Sequence, residues 1–389
     1  MQSMLCCQAY AEIRVPPERG WQAWWARRQD EVAVAGNDDN GEAHGKRQSV
    51  SRVVTMHDIA RLSGVSQSTV SRVLNDTATA VPIAADTRER VLEAADRLGY
   101  RPNPLARGLR GAKTMLLGII VREIADPFFA PAVEAVSVRA RERRHNVVLG
   151  SAHSRADEAI ELHAVLETRH CDAIILLGDM RDQPRLLEDL AASRVPVVAV
   201  WQGGPLPGVD TVNVDNRAGV FAAVDHLAAL GHRRLGFIGE SAHGDVRERR
   251  AAFVDRVTEL GRPPQPDHIV PAVTDPAAGA EAFRRLMAVP DPPTGVVTAT
   301  DNVAIGVLHA AHSLGLAIPA AVSVVGFDDI PIATYTAPPL TTVHNPITEM
   351  ATLAVDVAID RPSARSGERH DHVLAPGFTV RATTGPAPS

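Results

Sequence analysis

The stretch Thr55-Met-His-Asp-Ile-Ala-Arg-Leu-Ser-Gly-Val-Ser-Gln-Ser-Thr-Val-Ser-Arg-Val-Leu-Asn75 decides the fold of the N-terminal region. Thr55, with Asp58 three residues on, has capping-box spacing, and Ile59 with Leu62 offers an apolar face, so a helix is predicted that stops at Gly64. Ser66 is a good N-cap for a second helix. Val70, Val73 and Leu74 fall on its inner side, leaving Gln67, Ser68, Ser71 and Arg72 on the others. A third helix is predicted from about Asp86, with Val91, Leu92, Ala95 and Leu98 inward and Gly99 as its stop. Two short helices around a glycine turn form a helix-turn-helix, whose second helix suits the DNA major groove. Gln67, Ser68 and Arg72 would then face bases, with Ser66, Thr69 and Ser71 near phosphates. Small helical bundles contain the same turn without touching DNA, so geometry alone leaves this open.

Upstream, residues 1–52 show no sustained period, hold Trp21, Trp24 and Trp25, and end in the polar run Gly36 to Ser49. They read as a poorly ordered extension, and the abrupt onset of pattern at Val53 is consistent with a mis-called start. Downstream, Arg101-Pro-Asn-Pro-Leu-Ala-Arg-Gly-Leu-Arg110 places Pro104 in the first turn of a short helix. Gly108 inside it costs about 1 kcal/mol, so the segment is expected to order only when something holds it. Beyond Lys113, apolar runs at Met115–Val121, Asn146–Leu149, Ala173–Leu177, Val195–Val200, Leu235–Ile238, Gly295–Thr298 and Val322–Phe327 alternate with helical patterns. Those patterns cover Pro131–Arg144, Ala156–Thr168, Ala218–Leu230 and Val303–Leu314. Buried parallel strands with crossover helices have this rhythm, so an α/β body of two lobes is expected.

Composition agrees. The chain has 389 residues, 45% hydrophobic and 22% charged, which fits two or three globular units and excludes a wholly disordered or collagen-like chain. No apolar run approaches the roughly 18 residues needed to span a bilayer. Residues 1–30 lack the basic start and apolar core of a secretory signal, so a cytoplasmic protein is expected. Cys6, Cys7 and Cys171 suit neither a disulfide framework nor a four-cysteine zinc site. Residues 52–113 carry 10 Lys+Arg against 6 Asp+Glu, whereas residues 114–389 carry 24 against 33. A small basic segment on an acidic body suggests that one part meets a polyanion while the rest is kept off it.

Residues 55–75 resemble, nearly position for position, the DNA-binding headpiece of the LacI/GalR family of bacterial transcriptional regulators, and the resemblance covers residues 54–385. Arg88-Glu-Arg-Val-Leu-Glu-Ala-Ala-Asp-Arg-Leu-Gly-Tyr-Arg-Pro-Asn103 is similar to the family's third helix and the start of its hinge. Asp126-Pro-Phe-Phe129, Val214-Asp-Asn216, Leu230-Gly-His-Arg-Arg234, Ser323-Val-Val-Gly-Phe-Asp-Asp329 and Pro339-Leu-Thr-Thr342 resemble its periplasmic-binding-protein-like core. The resemblance implies a headpiece over residues 53–101 and a hinge helix over 102–113. It implies a core of doubly wound parallel sheets, with a first lobe over 114–213 and 345–365 and a second over 214–344 and 366–385.

The resemblance also implies site residues. Thr55, Ser66, Gln67, Ser68, Thr69, Ser71, Arg72, Asn75, Arg107, Leu109 and Arg110 would contact double-stranded DNA at a near-palindromic operator, Leu109 as a minor-groove wedge. Gly108 stands where the family usually has Ser, and the link from Ala78 to Asp86 is two residues longer than usual. A small effector, a carbohydrate or related metabolite, would lie between the lobes against Phe128, Phe129, Trp201, Arg249, Thr300 and Asp328. Trp201 replaces a frequent Asp, and Thr274 lies where an aromatic is often found, which implies a different effector from the best-known relatives. Each has a plainer reading, since Phe128 and Phe129 suit a core and Asp328 a turn.

Catalysis finds no motif: there is no G-x-G-x-x-G after a strand, no G-x-S-x-G and no H-E-x-x-H. His309 and His312 read as a solvated pair rather than metal ligands, and His170 beside Cys171 does not form a nucleophile and base. No cofactor or metal is expected. No apolar heptad repeat follows Arg381, so a homodimer is expected rather than a tetramer. The expected function is an effector-controlled DNA-binding regulator, most simply a repressor. The alternatives are a sugar-binding transport protein and an α/β enzyme sharing the core.

Overall fold

A computed structural model of the protein describes residues 54–74, 83–100, 113–168, 171–179, 184–239, 243–361 and 368–388. The extension 1–52, Asn75, and the hinge residues Arg107, Leu109 and Arg110 lie outside the described residues. The chain divides into two compact units, Met1–Arg101 and Pro102–Ser389.

In the first unit, helices α1 (Met56–Ser63), α2 (Gln67–Leu74) and α3 (Ala85–Arg97) pack on a small core of Ile59, Ala60, Val70, Val73, Val91, Ala94 and Ala95. The ends form for the reasons the residues suggest. The Thr55 backbone N–H and hydroxyl donate to the Asp58 carboxylate at 3.0 and 2.7 Å, Gly64 turns the chain at φ 70°, and the Thr69 amide donates to Ser66 Oγ at 3.1 Å. Two expected core residues are instead exposed, Leu62 at 43% and Leu92 at 47%. At about 100° per residue, the buried face of α3 runs through Val91, Ala94 and Ala95 and leaves Leu92 to one side. On α1, Ala60 and Ser63 occupy the contact in place of Leu62.

The second unit holds two six-stranded sheets. Its elements run β1 (Leu116–Val121), α4 (Phe129–Glu142), β2 (Asn146–Ser151), α5 (Ala156–Thr168), β3 (Ala173–Leu177), α6 (Pro184–Ala191), β4 (Val197–Val200), β5 (Asp210–Val214), α7 (Asn216–Ala229), β6 (Leu235–Ile238), α8 (Gly244–Glu259), β7 (Ile269–Val270), α9 (Pro276–Met287), β8 (Gly295–Thr298), α10 (Asp301–Ser313), β9 (Ser323–Asp328), β10 (Thr341–His344), α11 (Ile347–Asp360), β11 (Asp371–Leu374) and β12 (Gly377–Thr379). The first sheet has the order β11-β5-β4-β3-β1-β2 and is parallel throughout. The second has the order β12-β10-β9-β8-β6-β7, with only β12 antiparallel. In each sheet the strand order reverses beside the first strand, β1 or β6, and a crevice opens beyond the carboxyl ends there.

One expected boundary is corrected. The sequence places residues 366–385 in the second lobe, but Asp371–Leu374 pairs in parallel with Thr211–Val214 of the first sheet. The cause is local chemistry: the Thr211 hydroxyl and the Asn213 amide both donate to the Asp371 carboxylate, and the Thr211 amide donates to the His370 carbonyl. The chain passes to the second sheet only after Leu374, before Gly377 pairs with His344. Helix α11, which follows β10, packs on α4 and on β3, β4 and β5 of the first lobe.

Candidate functional site

Two surfaces concentrate polar chemistry, one in each unit. On α2, Gln67, Ser68 and Arg72 are exposed and Ser71 is half-buried, on the side away from buried Val70 and Val73. Ser66 serves as the N-cap, and its hydroxyl also bonds those of Ser68 and Thr69 at 2.7 and 2.9 Å. Thr55 is exposed but committed to Asp58, whose carboxylate also takes Arg61 at 3.2 Å. The arrangement is a short, well-anchored helix with an outward face of hydrogen-bond donors and acceptors and one guanidinium.

The other site lies between the two sheets. Phe128, Phe129, Trp201, Arg249, Thr300 and Asp328, nominated from the sequence, all line one enclosed cavity. Its cause is topological, because Trp201 follows β4, Asp328 ends β9 and Thr300 lies just past β8, all at carboxyl ends of parallel strands. The aromatic wall comes from the first lobe. Phe128 and Trp201 meet edge to face at 4.8 Å, Phe128 and Phe129 at 5.1 Å. Trp201 has φ 58°, a left-handed conformation uncommon for a bulky residue, and is held there by its amide bond to the Val212 carbonyl and by its indole N–H, which donates to Asn345.

The polar wall comes from the second lobe. Arg249 is only 1% exposed, and its Nε donates to Asn216 Oδ1 at 2.8 Å. Its Nη1 donates to the Ala299 carbonyl at 2.8 Å and to Asp328 Oδ1 at 3.3 Å, and its guanidinium stacks on the Phe327 ring at 3.6 Å. Asp328 has φ 120° and is buried. Burial pushes its carboxyl up to about 7, with Arg249 pulling it down and the Asp245 and Asp126 charges adding to the rise. Thr300 caps α10, accepting the Val303 amide, so its hydroxyl is partly committed to the fold. Beneath the site, Asp301 accepts the Thr342 hydroxyl at 2.6 Å and the Ile330 amide at 2.9 Å, and burial raises its carboxyl well above the ordinary range.

Several lining residues escaped the sequence reading: Arg122, Asp126, Gly178, Asp245 and Asn302. Arg122 and Gly178 could have been found as the first residues past the apolar runs of β1 and β3, and Asp126 opens the Asp126-Pro-Phe-Phe129 motif. Nothing local marked Asp245 or Asn302. The lobes are joined beside the cavity by Asn302 Nδ2 donating to Asp126 Oδ1 at 2.9 Å, and by the Gly244 amide donating to Asp179. The enclosed volume is about 20 Å³, room for roughly one water. Outside it, between Ser154, His243, Thr274 and Asp275, a wider mouth of about 530 Å³ opens. Among the described residues no group of His, Cys, Asp and Glu is placed to hold a metal, and no helix is long and apolar enough to cross a membrane. Cys171 is buried, which pushes its thiol up to about 11 and makes it a poor nucleophile.

Comparison with known proteins covers both sites. Residues 55–103 match the profile of bacterial regulatory proteins of the lacI family, and residues 224–384 match the periplasmic binding protein-like domain. The HTH-type transcriptional regulator GalS of Salmonella typhimurium is 35% identical over 330 residues, 85% of this chain and 96% of GalS. The lac repressor dimer bound to operator and the anti-inducer ONPF superposes with a TM-score of 0.76 at 25% identity, over 86% of this chain and all of that one. The transcriptional regulator CelR in complex with cellobiose gives 0.63 at 28% identity, over 85% of this chain and 99% of that one. With a capped helix-turn-helix in one unit and a two-lobed core enclosing a cavity in the other, the chain belongs to the LacI family of bacterial DNA-binding transcriptional regulators.

Proposed function

We propose that this regulator represses transcription by binding a near-palindromic operator as a homodimer, and that a small carbohydrate-like metabolite between its lobes controls that binding. The reading is of a cytoplasmic sensor that turns over no substrate. The observation that carries it is the shared cavity: six side chains from both lobes, Phe128, Phe129, Trp201, Arg249, Thr300 and Asp328, surround one space. A ring with an apolar face and hydroxyl edges suits aromatic rings on one wall and a guanidinium–carboxylate pair on the other.

The cavity of about 20 Å³ is too small for a sugar, so a ligand enters only if the lobes part or Trp201 moves. Effector binding therefore has different free energies in different lobe arrangements, which is the condition for shifting an equilibrium. At the other end, α2 would enter the major groove with Gln67, Ser68 and Arg72 at base edges and Ser66, Thr69 and Ser71 near phosphates. Thr55, Asn75, Arg107 and Arg110 would add backbone contacts, and Leu109 would wedge the minor groove.

The test begins by selecting bound fragments from random DNA with the purified protein, then measuring affinity by fluorescence anisotropy. Arg72→Ala should lose about tenfold or more on the selected site, the size of one good base contact. A variant that binds the selected site as tightly as the native protein removes α2 from the groove.

A further inference from the structure

Asp245, in the first turn of α8, lines the enclosed cavity and is 9% exposed. Its Oδ2 lies 3.6 Å from the Arg249 guanidinium, but its Oδ1 is buried with no hydrogen-bond partner among the described residues. A buried carboxylate oxygen without a donor, on a side chain that lines a cavity, is an acceptor awaiting one.

The positive groups nearby are ion-paired to acidic side chains of the same lining. Arg249 Nη1 lies 3.3 Å from Asp328 and its Nη2 3.6 Å from Asp245, and Arg122 lies 3.7 Å from Asp126 and over the Phe129 ring. The described lining therefore sets three carboxylates, Asp126, Asp245 and Asp328, against two guanidiniums. A helix N-terminus is the ordinary place for a phosphate. Here the first amide of α8, that of Gly244, already donates to the buried Asp179 carboxylate reaching from the first lobe.

We propose that the cleft selects an effector that donates hydrogen bonds and carries no negative charge, with Asp245 Oδ1 accepting from it, and that it rejects the phosphorylated or carboxylated counterpart. This deepens the proposed function and rests on its reading of the cavity as the effector site. A neutral polyol supplies hydroxyl donors to Asp245, and an amino sugar supplies an ammonium. An anion would instead face a lining of three acidic side chains against two guanidiniums, each already ion-paired to them.

The test uses full-length protein and matched sets of ribose, glucose, galactose and fructose, each against its phosphate and, for the hexoses, its 2-amino or acid derivative. Calorimetry ranks them. The expected result is that every binder is neutral or aminated. Asp245→Asn should then narrow the affinity ratio between the best neutral sugar and its phosphate by about tenfold or more, the scale of one lost charge repulsion. A merely structural role for Asp245 would lower both affinities together and leave the ratio unchanged, which overturns the proposal. A phosphorylated or acidic sugar as the tightest binder also overturns it while preserving the effector reading, and binding by no sugar of any charge removes both.

Discussion

The headpiece and the cleft handle polar side chains in opposite ways. In the headpiece the hydrogen bonds are local: Thr55 to Asp58, Arg61 to Asp58 and Ser66 to Thr69 all close within one helical turn. They hold the helix ends and leave an outward polar face. In the cleft the bonds are long-range: Arg249 reaches Asn216 and Asp328 across 33 and 79 positions, Trp201 reaches Asn345 across 144, and Asn302 reaches Asp126 across 176. There the polar groups are buried and pair across long stretches of chain, apart from Asp245 Oδ1, which has no partner among the described residues. The difference teaches how each region presents its polar chemistry, since the headpiece keeps its groups outward and ready-made, whereas the cleft commits most of its own to internal contacts.

The strongest way to break that comparison is Arg249→Met. Removing the guanidinium strands Asp328 and Asn216 in the interior, and losing one partner of a buried ion pair costs about 3–5 kcal/mol. Chemical denaturation should show that loss in the core transition. An unchanged midpoint would mean that the pair is peripheral to the fold.

A smaller effect is expected from Val70→Ala, at a fully buried position of the headpiece. The lost methyl groups cost about 2 kcal/mol, a large fraction of what so small a core can supply. Operator affinity should fall while the core unfolds at the native temperature in calorimetry. A core transition that moves with the headpiece would show that the two units unfold together.

The smallest effect sharpens the account of the cleft. The Asp328 carboxyl is raised to about 7, so between the ordinary carboxylate range and pH 7 the folded chain keeps a proton that the unfolded chain has shed. The unfolded state then binds fewer protons, and the contribution of this group to stability, full in acid, is lost as pH rises through about 7. Melting temperatures should decline by a few degrees over that span, and Asp328→Asn should flatten the decline. An identical slope in the variant would assign it to other groups.

Legibility followed the range of the interactions. The α1 and α2 ends, Gly64 and the Ser66 cap were readable because capping and αL turns depend on neighbours three or four residues apart. Apolar runs such as Ala173–Leu177 and Leu235–Ile238 were readable because strands buried on both faces need them. Polar strands were not: β5 (Asp-Thr-Val-Asn-Val) is held between β4 and β11, and β11 (Asp-His-Val-Leu) exists because it completes a ladder with β5. Leu62 and Leu92 read as core and are exposed, because Ala60, Ser63, Ala94 and Ala95 pack the same contacts at closer range.

By itself the sequence determined the helix-turn-helix, its outward residues, the alternating α/β body and the family, since propensity, capping and motif order are all properties of neighbouring residues. Only the tertiary structure decided that Asp371–Leu374 joins the first sheet and that Phe128, Trp201, Arg249 and Asp328 share one cavity with Asp245 and Asn302. It also decided that Arg249 Nε and Nη1 find acceptors while Asp245 Oδ1 finds no donor among the described residues. The reason is physical: burial and pairing in the cleft depend on the register of two sheets and on which strand ends meet, quantities that no local pattern of residues encodes.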